Sequence, residues 1–303
     1  MKTIKISLLI LLFNILFINA QYLKGEKKYN QVETIEEEYQ FLEQSPDNIV
    51  VIDNVYGSID VEGYNGKTIK IEVVKKVSAD TKQDVAEGMQ EIGVKSSKKG
   101  DAVYIYMDSP YSKFDLETGN FQHHEFNFGS RRNYKHRKKR MYKYRLDFKV
   151  KVPKNVSIDV KAINKGNITI DNVHGKLLIV HNVNGAIDMT NVSGQTDVNA
   201  LNKDINITYA KNPTKESWFK SLNGDINVLF KNGLNAEISY KTMNGNFYTN
   251  FDVEKTTPQV SKIKQNSKRG VKYKLNKRKN FKIGNGKIPF HFDQLNGDAI
   301  VKK

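Results

Sequence analysis

One seven-residue frame recurs along this chain: apolar, any, Gly, any, apolar, any, apolar. It is read in Val55-Tyr56-Gly57-Ser58-Ile59-Asp60-Val61 and in Val173-His174-Gly175-Lys176-Leu177-Leu178-Ile179. Val183-Asn184-Gly185-Ala186-Ile187-Asp188-Met189 and Val192-Ser193-Gly194-Gln195-Thr196-Asp197-Val198 follow, and 201–207 keeps the frame with Lys203 in the glycine slot. Leu222-Asn223-Gly224-Asp225-Ile226-Asn227-Val228 returns to it, and 243–249, with Gly245, and 295–301 are looser copies. From Gly175 the frame recurs about every nine or ten residues, then about every 21, which is two short periods. Behind each glycine, apolar and polar positions alternate, so one face is buried and the other is wet. Seven residues cannot bury their own apolar face, and the next repeat must cover it.

The fold expected is therefore all-β, a β-solenoid or β-helix-like stack of short strands with one short helix. Asn-Gly pairs at 184, 223, 244 and 296 also suit two-residue hairpins, so a β-sandwich is the alternative left open. Gly57, Gly175, Gly185, Gly194, Gly224 and Gly245 are expected as turn residues, chosen for a positive φ. Asn54, Asn172, Asn182 and Asn191 each precede the first Val of a frame and are candidates for a stacked ladder; independent turn asparagines are the plainer reading.

The remaining segments fit around the repeats. Residues 49–52, 68–74, 102–107 and 144–152 read as strands. Residues 80–90 carry Val85 and Met89 one helical turn apart, with Asp80 as a possible N-cap, and predict the single helix. Residues 33–38 are acidic and suit an edge strand or a solvated tail. A basic loop is expected over 109–142 and a basic insertion over 254–290, both within one elongated β-repeat domain spanning 21–303.

The first twenty residues read as an address. Lys2 and Lys5 precede an apolar run over 6–18, and Asn19-Ala20 gives a small-residue end. That is the pattern of a secretory signal peptide cleaved after Ala20, and the run is short for a membrane span. Export to the periplasm, outer surface or exterior is the expectation, without an integral span after cleavage. The chain has no cysteine, which excludes disulfides, thiolate metal sites, thiol nucleophiles and a lipid-modified cysteine. Its formal charge of +16 favours anionic partners.

Two blocks carry a resemblance. IVVIDNVYGSIDVEGYNGKTIKIEVVKK, a short helical segment and IGVKSSKKGDAVYIYMDSP form the first; VKVPKNVSIDVKAINKGNITIDNVHGKLLIVHNVNGAIDMTNVSG forms the second. Together, over about 49–253, they resemble the bacterial putative-adhesin family, domains of unknown function related to auto-transporter adhesin heads. The resemblance implies an elongated solenoid-like domain outside the bacterial inner membrane and suggests adhesion. It brings no catalytic residues to transfer, and it covers neither basic segment.

Those segments are the sharper candidates for binding. Arg131, Arg132, Lys135, Arg137, Lys138, Lys139 and Arg140 crowd into ten residues with Tyr134 and His136 between them. Lys268, Arg269, Lys277, Arg278 and Lys279 lie in a second run that has no acidic residue between Glu254 and Asp293. Such patches attract polyanions in a salt-dependent way, and interleaved Tyr134, Tyr273 and Phe281 can stack on rings. A solvated loop without a ligand is the bland alternative. His123-His124-Glu125 lacks the helical spacing of a metal cluster, His174 and His181 read as polar surface positions, and Asp60, Asp188 and Asp197 read as a wet stripe rather than a calcium site. No nucleophile elbow, phosphate loop or paired-carboxylate motif is present.

The function expected is an exported, non-enzymatic, adhesin-like binding module without a cofactor, contacting anionic envelope glycan or lipid headgroups; nucleic acid conflicts with export. An accessory protein that binds a protein partner in envelope stress or assembly is the alternative.

Overall fold

A computed structural model describes residues 27–41, 43, 45–115, 117–118, 120–123, 140–256, 260–261, 266–267, 270–271, 274–275 and 278–303. The predicted signal segment lies outside the described residues.

Each coil consists of two short strands joined at a corner, one in each of two large sheets. The first strand, β1 (Tyr29–Gln40), precedes the first coil, β2 (Ile49–Tyr56) and β3 (Ile59–Tyr64). The chain then leaves the stack through β4 (Thr68–Ala79), α1 (Lys82–Glu91), β5 (Gly93–Lys99), β6 (Ala102–Asp108) and the small hairpin β7 (Ser112–Asp115) and β8 (Asn120–His123). It returns in β9 (Tyr142–Pro153). Coils then follow in order: β10 (Ser157–Asn164) and β11 (Ile168–Asp171), β12 (Leu177–Asn182) and β13 (Ile187–Val192), β14 (Gln195–Ala200) and β15 (Ile205–Tyr209), β16 (Ser217–Asn223) and β17 (Ile226–Leu229), β18 (Ala236–Lys241) and β19 (Phe247–Thr249). After β20 (Val253–Lys255) come four two-residue strands: β21 (Val260–Ser261), β22 (Asn266–Ser267), β23 (Gly270–Val271) and β24 (Lys274–Leu275). The chain ends in β25 (Lys279–Ile283), β26 (Ile288–Asn296) and β27 (Ala299–Lys302).

Sheet I has ten strands in the order β1-β4-β9-β3-β11-β13-β15-β17-β27-β19; sheet II has eleven, β20-β25-β18-β26-β16-β14-β12-β10-β2-β6-β5. Coil stacks on coil with parallel pairing, for instance Ile168 opposite Ile187 and Val160 opposite Val180. Antiparallel strands close the ends: β1, β4 and β5 at one, β20 and β25 at the other. This is the β-solenoid expected; the sandwich of hairpins is not what forms.

The period of nine or ten is half a coil. Successive frames lie alternately at the two corners and feed the two sheets in turn, which is why the longer spacing of 21 is one whole coil. The frame's apolar positions point between the sheets. Ile59, Ile168, Ile187, Ile205 and Ile226 line one row of sheet I, all at 0% exposure. Each such side chain contributes roughly 1.5–3 kcal/mol by burial. Towards the C-terminus aromatic rings take over: Tyr209 stacks on Phe230 and Phe230 on Phe290, Phe219 on Phe292, and Phe247 on Phe281.

The corner glycines are required for a different reason from the one the sequence suggests. Only Gly57 and Gly194 of the six have positive φ, +130° and +136°. The other four, Gly175, Gly185, Gly224 and Gly245, do not; what they share is a neighbouring coil's carbonyl against the α-carbon. A Cβ on Gly185 would stand 1.8 Å from the Gly166 oxygen; on Gly175, 2.3 Å from that of Val156; on Gly224, 2.5 Å from that of Lys203; and on Gly245, 1.9 Å from that of Gly297. Coils stack closely enough at the corners to leave no room for a side chain.

The asparagine ladder exists, built mainly from other asparagines. Asn184 donates from Nδ2 to Asn164 Oδ1 at 2.7 Å, Asn202 to Asn184 at 2.8 Å, Asn223 to Asn202 at 3.3 Å, Asn296 to Asn223 at 2.7 Å and Asn244 to Asn296 at 2.8 Å. Of the four expected, Asn191 donates to Asn172 at the opposite corner. Asn54 and Asn182 instead tie backbone carbonyls, Asn54 to Leu146 and Asn182 to Gly166 and Ala186. A further corner row links coils through side-chain oxygens that accept the next coil's N–H: Asp204 from Asp225, Asp225 from Asp298, and Asp298 from Asn246.

Two segments differ locally from expectation. The helix is capped by Thr81, whose hydroxyl accepts from Asp84 N at 3.1 Å, rather than by Asp80. Part of the expected basic loop is the β7–β8 hairpin, where Phe114 and Phe121 pack on Tyr104 and Tyr106 of β6. Four aromatic rings in alternate strand positions supply enough apolar area to hold a hairpin against the sheet.

Candidate functional site

The solenoid turns its polar positions outward, and several of its carboxylates there pair with a cation. On sheet I Lys149 meets Glu72, Lys151 meets Glu62 and Lys70 meets Glu38. On sheet II Lys161 meets Asp159, Lys220 meets Asp197, Arg278 meets Asp293 at 2.7 Å and His291 meets Glu216 at 2.7 Å. The single tryptophan, Trp218, lies in this row, stacked on the His291 ring at 3.8 Å and 5.0 Å from the Lys220 ammonium.

Few of the predicted polyanion contacts fall on described residues. Arg131, Arg132, Lys135, Arg137, Lys138, Lys139, Lys268, Arg269 and Lys277 lie outside them, as do His124, Glu125 and His136. Arg140 sits among Tyr56, Tyr111, Tyr142 and Tyr144, 4.9–6.0 Å from their ring centres. Arg278 is held by Asp293 and donates to Ser239 Oγ at 3.3 Å. Lys279 is exposed on β25. Asp60 and Asp188 face out from sheet I while Asp197 belongs to sheet II, so the three do not form one stripe. Asp188 Oδ1 accepts from Asn206 at 2.7 Å. His174 bridges Ser193 and Asn172 at 3.0 and 3.2 Å. Among the described residues no group of three or more His, Asp or Glu is arranged to hold a metal ion.

A cleft of about 520 Å³ opens instead at the corner beside the first coil. Three links converge on it: Phe41, Ser45, Pro46 and Asn48 from the β1–β2 link, Tyr64, Asn65, Gly66 and Lys67 from the β3–β4 turn, and Pro153 to Val156 after β9. Strand register brings them together, since Ile49 lies opposite Ser157 in sheet II and Tyr64 opposite Pro153 in sheet I. Backbone bonds fix the walls: Ser157 N donates to Asn48 O at 2.9 Å, Lys154 N to Tyr64 O at 3.1 Å and Val156 N to Pro153 O at 3.1 Å. The Tyr64 ring is held by its hydroxyl, which donates to Thr68 O at 2.8 Å, and it packs so closely on Gly66 that a Cβ there would lie 2.2 Å from the ring.

The cleft's chemistry is mixed. Phe41, Tyr64, Pro46, Pro153 and Val156 give it an apolar lining, and Lys67 and Lys154 are its cations. Asn48, 2% exposed, donates from Nδ2 to Glu43 O at 2.9 Å while its Oδ1 is buried without a hydrogen-bond partner. Burial, and after it the charges of Lys154 and Lys211, hold the neighbouring His174 imidazole below its ordinary pKa. None of these residues was singled out from the sequence. Asn65-Gly66, an Asn-Gly pair outside the repeat frame, and the prolines at 46 and 153 were the signals of a corner there.

Residues 147–278 match the family model described as Toastrack DUF4097. That stretch, somewhat under half of the chain, is similar to a Toastrack domain. The match bears out the likeness to an uncharacterised adhesin-like family, although it begins at β9 rather than at residue 49. The matched stretch contains the coils from β10 to β19 and one of the three links of the cleft; the other two precede it. No curated protein matches the chain. Solved structures similar to it include a putative cell adhesion protein from Clostridium sporogenes, 13% identical with a TM-score of 0.44 over 89% of this chain and 99% of that one. A putative adhesin from Bacteroides fragilis is 11% identical, with a TM-score of 0.31 over 89% and 97%. A putative lipid binding protein from Parabacteroides distasonis is 9% identical, with a TM-score of 0.34 over 92% and 98%. At these identities none of the three carries a function over to this chain. Among the described residues no helix is long and apolar enough to cross a membrane.

Proposed function

We propose that the protein is an exported, non-catalytic binding module of the cell envelope that engages anionic glycan or lipid headgroups. One observation carries the reading. Lys67 and Lys154 stand in the lining of a formed cleft beside Phe41, Tyr64 and Pro153, and among the described residues neither has a carboxylate partner. A cation left unpaired beside an apolar surface suits an anionic ligand more than it suits stability, because exposed ion pairs contribute little to folding. The net positive charge of the chain favours anionic partners in general.

The test is equilibrium binding of the purified protein to lipopolysaccharide, acidic polysaccharide and anionic vesicles at low and moderate salt. Binding that weakens steeply with salt is the expected result. Absence of binding to every anion would overturn the reading and leave a protein partner in its place. Sequencing the N-terminus of exported protein should give Gln21 first.

A further inference from the structure

Resting on that reading, we infer that the cleft is a site for an amphiphilic anion, a ligand whose apolar part lies on Phe41, Tyr64, Pro46 and Pro153 and whose anionic group is held by Lys67 and Lys154. The volume, about 520 Å³, is that of a small-molecule site and far too small for a polymer to enter. Its walls are formed before any ligand arrives, because the three links are tied to one another through the backbone and Tyr64 is fixed at both its hydroxyl and its ring. Preformed walls lower the ordering cost of binding.

The lining asks for two chemistries at once. An acidic sugar or free phosphate would satisfy the lysines and leave the aromatic and proline surfaces wet. A neutral hydrocarbon would cover those surfaces and leave two ammonium groups beside it. A ligand with both parts satisfies both.

The probes are dihexanoyl phosphatidylglycerol as a soluble monomer, glycerol 1-phosphate as its headgroup alone, hexanoate as a lipid-free acidic amphiphile, and phosphatidylglycerol vesicles. The monomer should bind one per chain, with glycerol 1-phosphate at least tenfold weaker. The pair Lys67→Glu and Lys154→Glu should weaken the monomer at least tenfold, and Lys231→Glu, on an exposed link elsewhere, should not. Asn65→Trp, an exposed turn position in the lining, should block the cleft without changing charge; unfolding temperature checks that each variant is folded. Hexanoate binding as tightly as the lipid would assign the site to a soluble acid, and weaker binding to a glycerophospholipid; either keeps the amphiphile. Glycerol 1-phosphate binding as well as the lipid would overturn the apolar half of the inference. Vesicle or polysaccharide binding untouched by both sets of variants would overturn the cleft as the site while leaving an envelope-binding module intact. If no anion binds at all, both fall.

Discussion

Gly185 shows how one atom governs the stack. The α-carbon lies against the Gly166 carbonyl, and the backbone there cannot retreat because it is itself bonded to the coils on either side. Gly185→Val should destabilise by about 3 kcal/mol or more, measured by denaturant unfolding, because overpacking against backbone has no side chain to yield. Gly93→Ala is the control: nothing lies within 4 Å of its Cβ, and the change should stay within about 0.5 kcal/mol. The position of Gly185 at a corner was legible in the sequence, but the reason for it was not. Periodicity reports where the chain turns, whereas the approach of residue 166 depends on how coils stack. His181 gives a second residue-level consequence. Burial lowers its pKa, with Lys161 and Lys220 adding to the effect and Asp159 and Asp197 opposing it. The unfolded chain, titrating near pH 6.5, therefore takes up a proton first as the solution is acidified. Stability should fall from about pH 6.5 down to the folded-state pKa and level off below it. His181→Asn, which repeats the residue of the next coil at position 199, should flatten that part of the pH profile.

The helix and the hairpin are the two elements that interrupt the repetition, and each rests on its own local chemistry. Helix α1 begins where Thr81 accepts from Asp84 N and donates to Asp84 Oδ2 at 2.6 Å, a reciprocal cap. It lies close on the sheet at Gly88, where a Cβ would meet the side chains of Val77 and Tyr142. Thr81→Ala should cost about 1 kcal/mol in thermal or denaturant unfolding, while Asp80→Ala should cost less because Asp80 does not cap. The helix was visible in its spacing and misplaced by one residue at its start, since Asp80 and Thr81 are both good caps and only the geometry chooses between them. The β7–β8 hairpin was hidden because its aromatic positions, Phe114 and Phe121, have no period of their own; they answer to Tyr104 and Tyr106 on a strand that precedes them.

In the molecule as a whole, the repeated frame made the architecture readable and concealed the cleft. Repetition reports what every coil shares, and a site made of three unlike links has no repeat to announce it. Order along the chain is likewise different from order in space. The last two strands, β26 and β27, do not end the stack; they lie between the β16–β17 coil and the β18–β19 coil that precedes them in sequence. A chain cut after Lys287 should lose cooperative unfolding in its C-terminal half, because β18 and β19 then have no parallel neighbour on the side that joins them to the rest. Hydrogen exchange in 217–241 would show it, and exchange there as slow as in the intact protein would contradict the placement. This topology has a kinetic meaning. A solenoid can add coils as they are made, but here the coil at 236–249 must wait beside a gap until the final sixteen residues arrive to fill it. The finishing step of folding belongs to residues 288–303, so a product cut before them is left with an unpaired seam rather than a shorter, complete stack.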